Sequence, residues 1–563
     1  MERLWQKQYC RGVPTSIRFE PTTLPAALSR TASRYPSTTA LMFQGTTITF
    51  KQLEAFVAKF AWQLKSLGVK TGDKVSIILP NLIQTAVAIH AALRAGAVVV
   101  MHNPRADDMM LEYQMKDAES RILICLDVLI PRMMNLRDRV GIEHIVSCHI
   151  RDYLPFVKKQ LFAVVKPELH LKTPQGEGVH EFTDLLEGAR GAADIHPARL
   201  DDLAFILYTS ATTGKSKGVE LTQANMSYNV QQLRSMFPTF RDGREIVVAC
   251  LPFFHVFGLT CALNIWVYYG YGIVLVPLPD PDRILEAIDM YKATFIPALP
   301  TFYTGMMTSP QLKKHDLKSL RGCFSGGAPL PLETIHSFER LTGAQICEGY
   351  GLTETAPVTH INPFGGKTKP GTIGLPIPDT DAKIVDVHDP SVEITAPGVP
   401  GELCIKGPQV MRGYLNQPEQ TAETLKDGWL FTGDIVIMDE EGYFSVVDRK
   451  KDLISSEKGT VYPRDVDEVL FTHPKILEAC SIGIPDKWER EAVKAYVVLK
   501  KGQTATAEEI IEFCKARMES HKVPREVDFL TALPKSPVGK IVRKELRRMH
   551  LVKKVMVAPA TGF

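Results

Sequence analysis

The segment YTSATTGKSKGVELT, residues Tyr208 to Thr222, follows the apolar run LAFIL and contains Gly-Lys-Ser. A Walker loop reads G-x-x-x-x-G-K-[ST] and begins a helix at its lysine, whose N-terminal amides hold phosphate. Here the position of the first glycine is Thr209, and the residues from Val219 to Thr222 are typical of a strand. The segment therefore predicts a loop between two strands that handles phosphate in another chemistry. A solvated turn is the plainer alternative.

Hydroxyl groups and lysines are concentrated in this loop. Five of the six residues from Tyr208 to Thr213 carry a hydroxyl group, which is unusual for a solvated turn. Hydroxyls and loop amides donate to phosphate oxygens, lysines offset their charge, and a glycine lets the backbone come close. The candidate phosphate-binding residues are Thr209, Ser210, Thr212, Thr213, Gly214, Lys215 and Lys217.

The segments around this loop alternate apolar strands with helices. Asp73 to Pro80 reads as a strand, Asn81 to Ala97 as a helix capped by Asn81, and Val98 to Met101 as a second strand. This order is typical of a βαβ unit in a parallel sheet. The pattern recurs, with strands predicted at 246–251, 271–276 and 294–298 and a helix at 282–291.

The chain changes character after about Pro370, where short β-runs are broken by Gly, Pro and Asp. Beyond Lys451, predicted helices at 463–471 and 507–519 and strands at 479–484 and 492–499 indicate a small further unit. The predicted fold class is α/β. We expect a large N-terminal domain of twisted sheets flanked by helices plus a β-rich subdomain (1–450), a small α+β C-terminal domain (451–550) and a tail (551–563).

Bulk composition describes a globular chain of several domains. Its 563 residues are 45% hydrophobic and 23% charged, with a formal net charge of +3 that shows no bias toward nucleic acid. The ten cysteines form no C-x-x-C pair, so reduced thiols in a cytosol are expected. The N-terminus lacks a signal-peptide core. The apolar run from Cys261 to Pro279 is interrupted, which predicts a buried helix or strand followed by a strand rather than a membrane span.

The motif YTSATTGKSKGV resembles the phosphate loop of the adenylate-forming superfamily, which includes acyl-CoA synthetases, the adenylation domains of peptide synthetases and firefly luciferase. Those enzymes usually read YTSGTTGKPKGV, so Ala211 and Ser216 depart from the pattern. The resemblance extends from about Pro25 to Arg547. Five further motifs occur in the family's order, namely FSGGAPL (324–330), EGYGLTETAP (348–357), GWLFTGDI (428–435), YFSVVDRKKDLI (443–454) and PKSPVGKIVRKEL (534–546).

The resemblance implies a site for ATP and AMP with bound Mg²⁺. Tyr350 would stack on adenine, Thr353 would touch the α-phosphate, and Asp434 and Arg449 would contact the ribose. Glu354, together with Thr209, would coordinate Mg²⁺, for which carboxylate oxygens are suitable ligands; a surface acid is the plainer interpretation of Glu354. The remaining residues implied in nucleotide binding are Gly327, Ala328, Pro329, Glu348, Gly349, Gly351 and Leu352.

Catalytic roles follow from the same resemblance. Lys540 would bridge the carboxylate and the α-phosphate during adenylation, with Thr213 and Glu354 beside it, and the C-terminal domain would be mobile about a hinge at Lys451. Without the resemblance, nothing in the sequence distinguishes Lys540 from an ordinary exposed lysine in a turn. His255 in LPFFHVFG would gate the acyl site toward the thiol channel, although a core histidine among phenylalanines is the alternative.

The acyl and CoA sites are implied less directly. His255, Gly326 and Gly349 would line the acyl site, and we expect Gly326, Gly327 and Gly349 to leave room for a long chain. Glu457 and Lys458 stand where the family carries two glycines against the pantetheine arm of CoA. Adenylation is therefore better supported than transfer to CoA, and we expect CoA to bind through altered contacts.

The wording of the motifs is most similar to that of bacterial long-chain fatty acid–CoA ligases. We therefore expect an ATP-dependent acyl-CoA synthetase with fatty acid and CoA as substrates, in the cytoplasm. The segment 152–169 resembles an insert of those enzymes and suits an interfacial helix at the inner membrane surface, or a helix packed on its own protein. Homodimer formation stays open. The rivals are a ligase for aromatic, cyclic or medium-chain acids, an acyl-AMP ligase that does not use CoA, and an inactive homologue that acts as a lipid-binding or scaffolding protein.

Overall fold

The computed structural model describes residues 3–174, 176, 178–209, 216–456, 459–486, 490–535 and 541–557. It has the predicted α/β fold, with a large N-terminal domain and a small α+β C-terminal domain. The α-helices span Leu24–Arg34, Phe50–Ser66, Ile83–Ala95, Asp108–Ala118, Ile130–Val140, Phe156–Val165, Phe182–Glu187, Gln223–Ser235, Val256–Gly258, Ile265–Tyr269, Pro281–Tyr291, Pro300–Thr308, Leu332–Thr342, Pro418–Thr424, Pro463–Phe471, Ala507–Lys515 and Arg543–Val557.

Sheet 1 has nine strands within the described residues, parallel through its centre and closed by antiparallel strands at both edges. The predicted strands near 246–251, 271–276 and 294–298 are confirmed in it. Their order across the sheet is Leu375–Pro376, Val358–Ile361, Gln345–Gly351, Gly322–Gly326, Phe295–Ala298, Ile246–Ala249, Gly272–Leu275, Thr39–Phe43 and Thr46–Thr49.

Sheet 2 contains the quoted segment and, in the described part of the chain, has eight strands. The predicted βαβ unit is confirmed as two parallel neighbours in it, Lys74–Ile78 and Val98–Met101. Their order across the sheet is Gly413–Tyr414, Gly218–Thr222, Leu203–Tyr208, Val98–Met101, Lys74–Ile78, Ile122–Leu126, His144–Cys148 and Val179–Glu181.

The β-rich subdomain and the C-terminal domain follow in chain order. Sheet 3 consists of Glu393–Ile394, Asp381–Val385, Gly401–Lys406, Trp429–Met438, Leu425–Lys426 and Phe444–Arg449. The C-terminal domain contains the antiparallel pair Ile454–Ser456 and Gly459–Val461 and a sheet of Ile476–Pro485, Glu491–Leu499 and Glu526–Phe529. Its predicted helix at 463–471 is confirmed with the same bounds.

Helix Ile83–Ala95 is apolar on nearly all faces because it is enclosed by protein on every side. It packs on both strands of the βαβ unit and on helices Leu24–Arg34 and Phe50–Ser66, and all its residues except Arg94 are buried. Contrary to our prediction, Asn81 is not the N-cap of this helix, because Leu82 occupies that position. The Asn81 amide instead donates to the carbonyls of Ala249 and Leu251 and accepts from Phe253 N–H, which ties sheet 2 to sheet 1.

The long apolar run at 261–279 is resolved into a π-helical turn, Leu259–Asn264, a short helix, Ile265–Tyr269, and a strand, Gly272–Leu275. These elements are buried inside the large domain. Throughout the described residues, each helix is either too short or too polar to cross a lipid bilayer. All ten cysteines are free, and nine of them are buried.

His90 leads to a prediction about acid stability. It is fully buried in helix Ile83–Ala95, 5.9 Å from the Trp266 ring, and burial lowers its pKa to about 3. The unfolded chain therefore takes up a proton near pH 6.5 that the folded chain excludes, so stability is complete above that pH and falls as pH drops toward 3. From pH 7 to pH 5 this one residue costs about 2 kcal/mol.

We expect His90→Leu to remove that cost. Urea unfolding at pH 7 and pH 5 measures the effect, and the loss of stability between the two should be smaller in the variant. The exposed His388→Asn variant is the control and should keep the parent's pH dependence. If His90→Leu kept the parent's pH dependence, folding would not lower the pKa of His90 and the prediction would be wrong.

Candidate active site

The base of the hydroxyl-rich loop is closed by three hydrogen bonds. Thr209 N–H donates to the Lys217 carbonyl at 3.0 Å, and the Ser216 hydroxyl donates to the Thr209 carbonyl at 2.6 Å. The Gln114 amide donates to the Ser216 hydroxyl at 3.4 Å. Ser216 is buried, so this departure from the family pattern replaces a proline ring with a tether. Residues Ser210, Ala211, Thr212, Thr213, Gly214 and Lys215 lie outside the described residues.

A strand, Gly218–Thr222, follows the loop and pairs antiparallel with Leu203–Tyr208. The next helix, Gln223–Ser235, begins only after that strand. The prediction of a loop between two strands is confirmed, because a Walker loop requires a helix directly after its lysine.

Tyr208 does not serve the loop as the hydroxyl count implied. Its hydroxyl donates to the Asp117 carboxylate at 2.8 Å and to the Gln114 carbonyl at 3.0 Å. Burial, reinforced by the negative charge of Asp117, raises the pKa of Tyr208. Tyr208 therefore anchors the end of its strand to helix Asp108–Ala118 and is not a candidate phosphate ligand.

Segment 411–415 brings Glu354 to the loop. Met411 N–H donates to the Glu354 carbonyl at 2.8 Å, and Leu415 N–H donates to the Gly218 carbonyl at 2.8 Å. Between them, the strand Gly413–Tyr414 pairs with Gly218–Thr222. Glu354 and Gly218 are thus both hydrogen-bonded to the backbone of segment 411–415.

Tyr414 and Gln420 are site residues that the sequence did not reveal. The Tyr414 hydroxyl donates to Glu354 Oε1 at 2.8 Å, and its ring lies 4.6 Å from the Lys217 ammonium nitrogen. Lys217 also donates to Gln420 Oε1 at 2.8 Å. A two-residue edge strand has no periodicity, so Tyr414 carried no signal of its own.

The Glu354 carboxylate fits a magnesium ligand. It is half-buried and one of its oxygens is held by Tyr414, so it is positioned yet still reaches solvent. Carboxylate oxygens are hard ligands of the kind that Mg²⁺ prefers. The Thr209 carbonyl is engaged by Ser216, so the metal role expected of Thr209 falls on its hydroxyl group.

Tyr350, Asp434 and Arg449 converge from two sheets. The Asp434 carboxylate is 1% exposed and accepts from the Tyr350 hydroxyl at 2.5 Å. Arg449 lies opposite Asp434 in the register of sheet 3, with its Nε 2.8 Å from Asp434 Oδ1. The charge of Asp434 raises the pKa of Arg449. A buried carboxylate with a cation and a hydroxyl beside it suits the recognition of sugar hydroxyls.

Glu348 holds in place the loop at 327–330, in the motif FSGGAPL. Its buried carboxylate accepts from Leu330 N–H at 3.2 Å and from Gly371 N–H at 3.0 Å, and burial raises its pKa. The tip of that loop, Gly327, Ala328 and Pro329, is exposed. In the neighbouring motif Gly351 is exposed, and Leu352 and Thr353 are half-buried. The buried Glu348 carboxylate thus holds two backbone amides in place and is not exposed for contact with a ligand.

We had expected the glycines of these loops to leave room for an acyl chain, but the space beside Gly326 and Gly349 is filled by protein atoms. A Cβ at Gly349 would lie 2.3 Å from the Phe324 ring and 2.8 Å from the His360 carbonyl. A Cβ at Gly326 would lie 3.1 Å from the Phe257 ring. Gly327 has a φ of +89°, which favours glycine for backbone reasons. At Gly326 and Gly349, glycine serves close packing, so the argument for a long chain from these residues was wrong.

His255 is exposed, which contradicts the interpretation as a core histidine. It caps the short helix Val256–Gly258 by accepting from Phe257 N–H at 3.3 Å. Phe257 is buried and contacts Phe324 edge-on, with ring centroids 5.2 Å apart. The segment that carries His255 thus packs beside strand Gly322–Gly326, which leads into the loop at 327–330.

The residues assigned to the C-terminal domain are described only in part. Lys451 lies in the short 3₁₀ turn Lys450–Asp452 that follows Phe444–Arg449, and it is exposed. Loss of part of the water around its ammonium group, with repulsion from Arg449, lowers its pKa to about 8. Glu457, Lys458 and Lys540 lie outside the described residues.

The order of motifs and the geometry agree with family comparisons. A family model described as AMP-binding enzyme matches residues 28–415, and one described as AMP-binding enzyme C-terminal domain matches residues 465–540. The chain belongs to the AMP-binding, adenylate-forming enzyme family. The resemblance inferred from its motifs is confirmed.

Relatives of the AMP-binding family match nearly the whole chain. A long-chain-fatty-acid–CoA ligase of Bacillus subtilis (strain 168) is 40% identical over 549 residues, covering 97% of this chain and 98% of its own. One from Escherichia coli O157:H7 is 36% identical over 556 residues, with the same coverage. The crystal structure of ATP-bound MatB from Rhodopseudomonas palustris superposes with a TM-score of 0.81 at 29% identity, covering 94% of this chain and 99% of that one.

Asp434 provides a test of the nucleotide site. We expect Asp434→Asn to raise the KM for ATP about 10- to 100-fold, because a charged hydrogen-bond acceptor contributes about 1.5–3 kcal/mol. Pyrophosphate release at varied ATP concentrations measures this. Asp439→Asn, which removes an acid paired with Lys369 at the turn after the same strand, is the control and should leave the KM unchanged. Equal effects of the two variants would remove Asp434 from the site.

Proposed function

We propose that this protein is an ATP-dependent acyl-CoA ligase that acts on long-chain fatty acids. A carboxylate oxygen of the fatty acid attacks the α-phosphorus of ATP, the bond to the β-phosphate oxygen breaks, and acyl-AMP and pyrophosphate form. The sulfur of CoA then attacks the acyl carbon, AMP leaves, and the thiol proton passes to solvent. The products are acyl-CoA, AMP and pyrophosphate.

The convergence of Tyr350 and Arg449 on the Asp434 carboxylate supports the first half-reaction most directly. Strand Gln345–Gly351 of sheet 1 supplies Tyr350 and sheet 3 supplies the other two residues, so an aromatic ring, an acid and a cation lie side by side, as the recognition of a nucleoside requires. Glu354, fixed by Tyr414, faces the loop whose base is Thr209 and Lys217. Family membership and the identity to bacterial long-chain ligases support the acid substrate.

Positioning is the main task of the residues in this chain, since phosphoryl chemistry needs little covalent help from the protein. In the proposal, Thr209, Ser210, Thr212, Thr213, Gly214, Lys215 and Lys217 hold the phosphates. Lys540 stabilises the charge that builds up where two anions meet. Mg²⁺ held by Glu354 and Thr209 would neutralise the leaving pyrophosphate. Rotation about Lys451 then exchanges Lys540 for the contacts that receive CoA.

A substrate panel tests the proposed reaction. The untagged protein is supplied with ATP, Mg²⁺, CoA and one acid at a time, namely palmitate, octanoate, benzoate or a cyclic acid, and acyl-AMP and acyl-CoA are detected by mass spectrometry. We expect palmitate to give the highest kcat/KM and to yield acyl-CoA. We also expect Lys540→Ala to reduce ATP–pyrophosphate exchange about 100-fold or more, because it removes the cation at the reacting centre.

The outcomes separate the rivals. Preference for the aromatic or cyclic acid would identify a ligase for those substrates. Pyrophosphate without acyl-CoA would identify an acyl-AMP ligase and overturn the CoA assignment at Glu457 and Lys458. No exchange in the parent protein would favour an inactive homologue. Lys535 lies in the same motif as Lys540 and forms an ion pair with Glu478. The Lys535→Ala variant therefore controls for the general loss of a positive charge.

We further propose that helix Phe156–Val165 rests on the inner membrane surface, where fatty acids partition. Most of its apolar side chains are exposed rather than packed on the protein, with Phe156 at 76%, Val157 at 68% and Val164 at 79%. Basic side chains accompany them on the exposed surface, namely Lys158, Lys159 and Lys166. Apolar residues beside lysines suit an interface with anionic lipid.

Vesicle sedimentation tests the membrane proposal. We expect the protein to bind vesicles that contain phosphatidylglycerol more tightly than phosphatidylcholine vesicles, with binding weakened by salt. Phe156→Ser with Val164→Ser should weaken binding at least about tenfold, because burying each side chain contributes about 1.5 kcal/mol or more. Met290→Ser, at another exposed apolar residue, is the matched control. Equal binding of both variants would contradict the proposal.

A further inference from the structure

Three side chains with metal-binding atoms meet at the edge of sheet 2, away from every residue assigned to the nucleotide. Asp127 follows strand Ile122–Leu126, and His149 follows the neighbouring strand His144–Cys148. His170 comes from the insert that carries helix Phe156–Val165, just after the turn Pro167–Leu169. The carboxyl ends of two parallel strands and the end of the insert are therefore brought together.

The ligand atoms already lie at distances close to those of a coordination sphere. His149 Nδ1 is 2.8 Å and His170 Nδ1 is 3.3 Å from Asp127 Oδ2, and the three ligand atoms lie within 4.8 Å of one another. Tetrahedral zinc with bonds of about 2.0–2.1 Å separates its ligand atoms by about 3.3 Å. The two separations from Asp127 Oδ2 are thus within about 0.5 Å of those around a zinc ion.

The surroundings of His149 match those of a metal-bound histidine. Its second nitrogen, Nε2, lies 2.9 Å from the Glu181 carboxylate. Metal-binding histidines usually donate their other ring N–H to a carboxylate, which orients the ring and leaves one nitrogen for the metal. Glu181 therefore assigns Nδ1 of His149 to the shared centre.

The second carboxylate oxygen of Asp127 provides an independent observation. Its side chain is 1% exposed, and among the described residues its Oδ1 has no hydrogen-bond partner. Its Oδ2 accepts from Leu171 N–H at 2.8 Å as well as facing both histidines. A buried carboxylate oxygen without a donor is costly, and a cation beside it would remove that cost.

We propose that Asp127, His149 and His170 bind one divalent transition-metal ion of the zinc class. Two imidazoles and one carboxylate form a donor set that zinc accepts, with the fourth position left for water. Nothing in the proposed ligase reaction uses these residues. The ion would fasten the end of the insert to sheet 2 and so hold the segment that carries helix Phe156–Val165.

Titration of the untagged, full-length protein with Zn²⁺ after treatment with EDTA tests the site. Isothermal titration calorimetry and metal analysis should give one Zn²⁺ per chain, and Zn²⁺ should raise the melting temperature. We expect His170→Gln to weaken binding at least tenfold. His170 is the least buried ligand, so this variant should fold. Glu181→Gln should weaken binding about 10- to 100-fold, the usual effect of losing an outer partner.

A second histidine pair on the same sheet supplies the control. His144 Nδ1 lies 3.2 Å from His180 Nε2, so His180→Gln removes a plausible adventitious site while leaving the proposed ligands intact. The proposal requires binding to survive in His180→Gln and to be lost or weakened in His170→Gln. Binding that follows His180, binding unaffected by His170→Gln, or no binding by the parent protein would each overturn it.

Discussion

The backbone pairing of segment 411–415 with strand Gly218–Thr222 is the contact on which the candidate site depends. This segment contacts both the strand that follows the loop after Tyr208 and the backbone of the acid Glu354, and so links two distant parts of the chain. The pairing uses main-chain hydrogen bonds from Arg412 to Glu220 and from Leu415 to Gly218, and Met411 N–H joins the same segment to the Glu354 carbonyl. It is therefore largely independent of side-chain identity. The register of this strand pairing, rather than the identity of the functional side chains, therefore sets the geometry of the site.

Buried charge is the second constraint. Asp434 has almost no contact with water, and a carboxylate in that position is tolerated only when cations and donors surround it. Arg449 and Tyr350 meet this need while leaving the carboxylate in place as an acceptor. In the proposed function, the same groups that stabilise the Asp434 carboxylate are those that a ribose would contact, which reduces the rearrangement needed for binding.

Much of this organisation could be predicted from the sequence because it is local. The strand after the hydroxyl-rich loop, the βαβ unit and helix Pro463–Phe471 follow from patterns of two to four residues. The errors arose where long-range contacts overrode local chemistry. Asn81 reads as a cap, yet its amide is used by carbonyls about 170 residues away. Tyr208 reads as part of the loop, yet Asp117 takes its hydroxyl. Glycines that read as open space are filled by Phe324 and Phe257.

The tether at Ser216 has a mechanical consequence. The Gln114 amide that reaches Ser216 also accepts from His102 Nδ1 at 2.9 Å, and His102 Nε2 lies 2.8 Å from the Ser76 hydroxyl in the heart of sheet 2. Burial lowers the pKa of His102 to about 4, so the imidazole stays neutral and the relay keeps one pattern at neutral pH. A proline would stiffen only its own backbone. Here Ser216, at the base of the loop, is connected by hydrogen bonds to the interior of sheet 2. A mutation that changes the packing around Ser76 would therefore also change the position of Ser216.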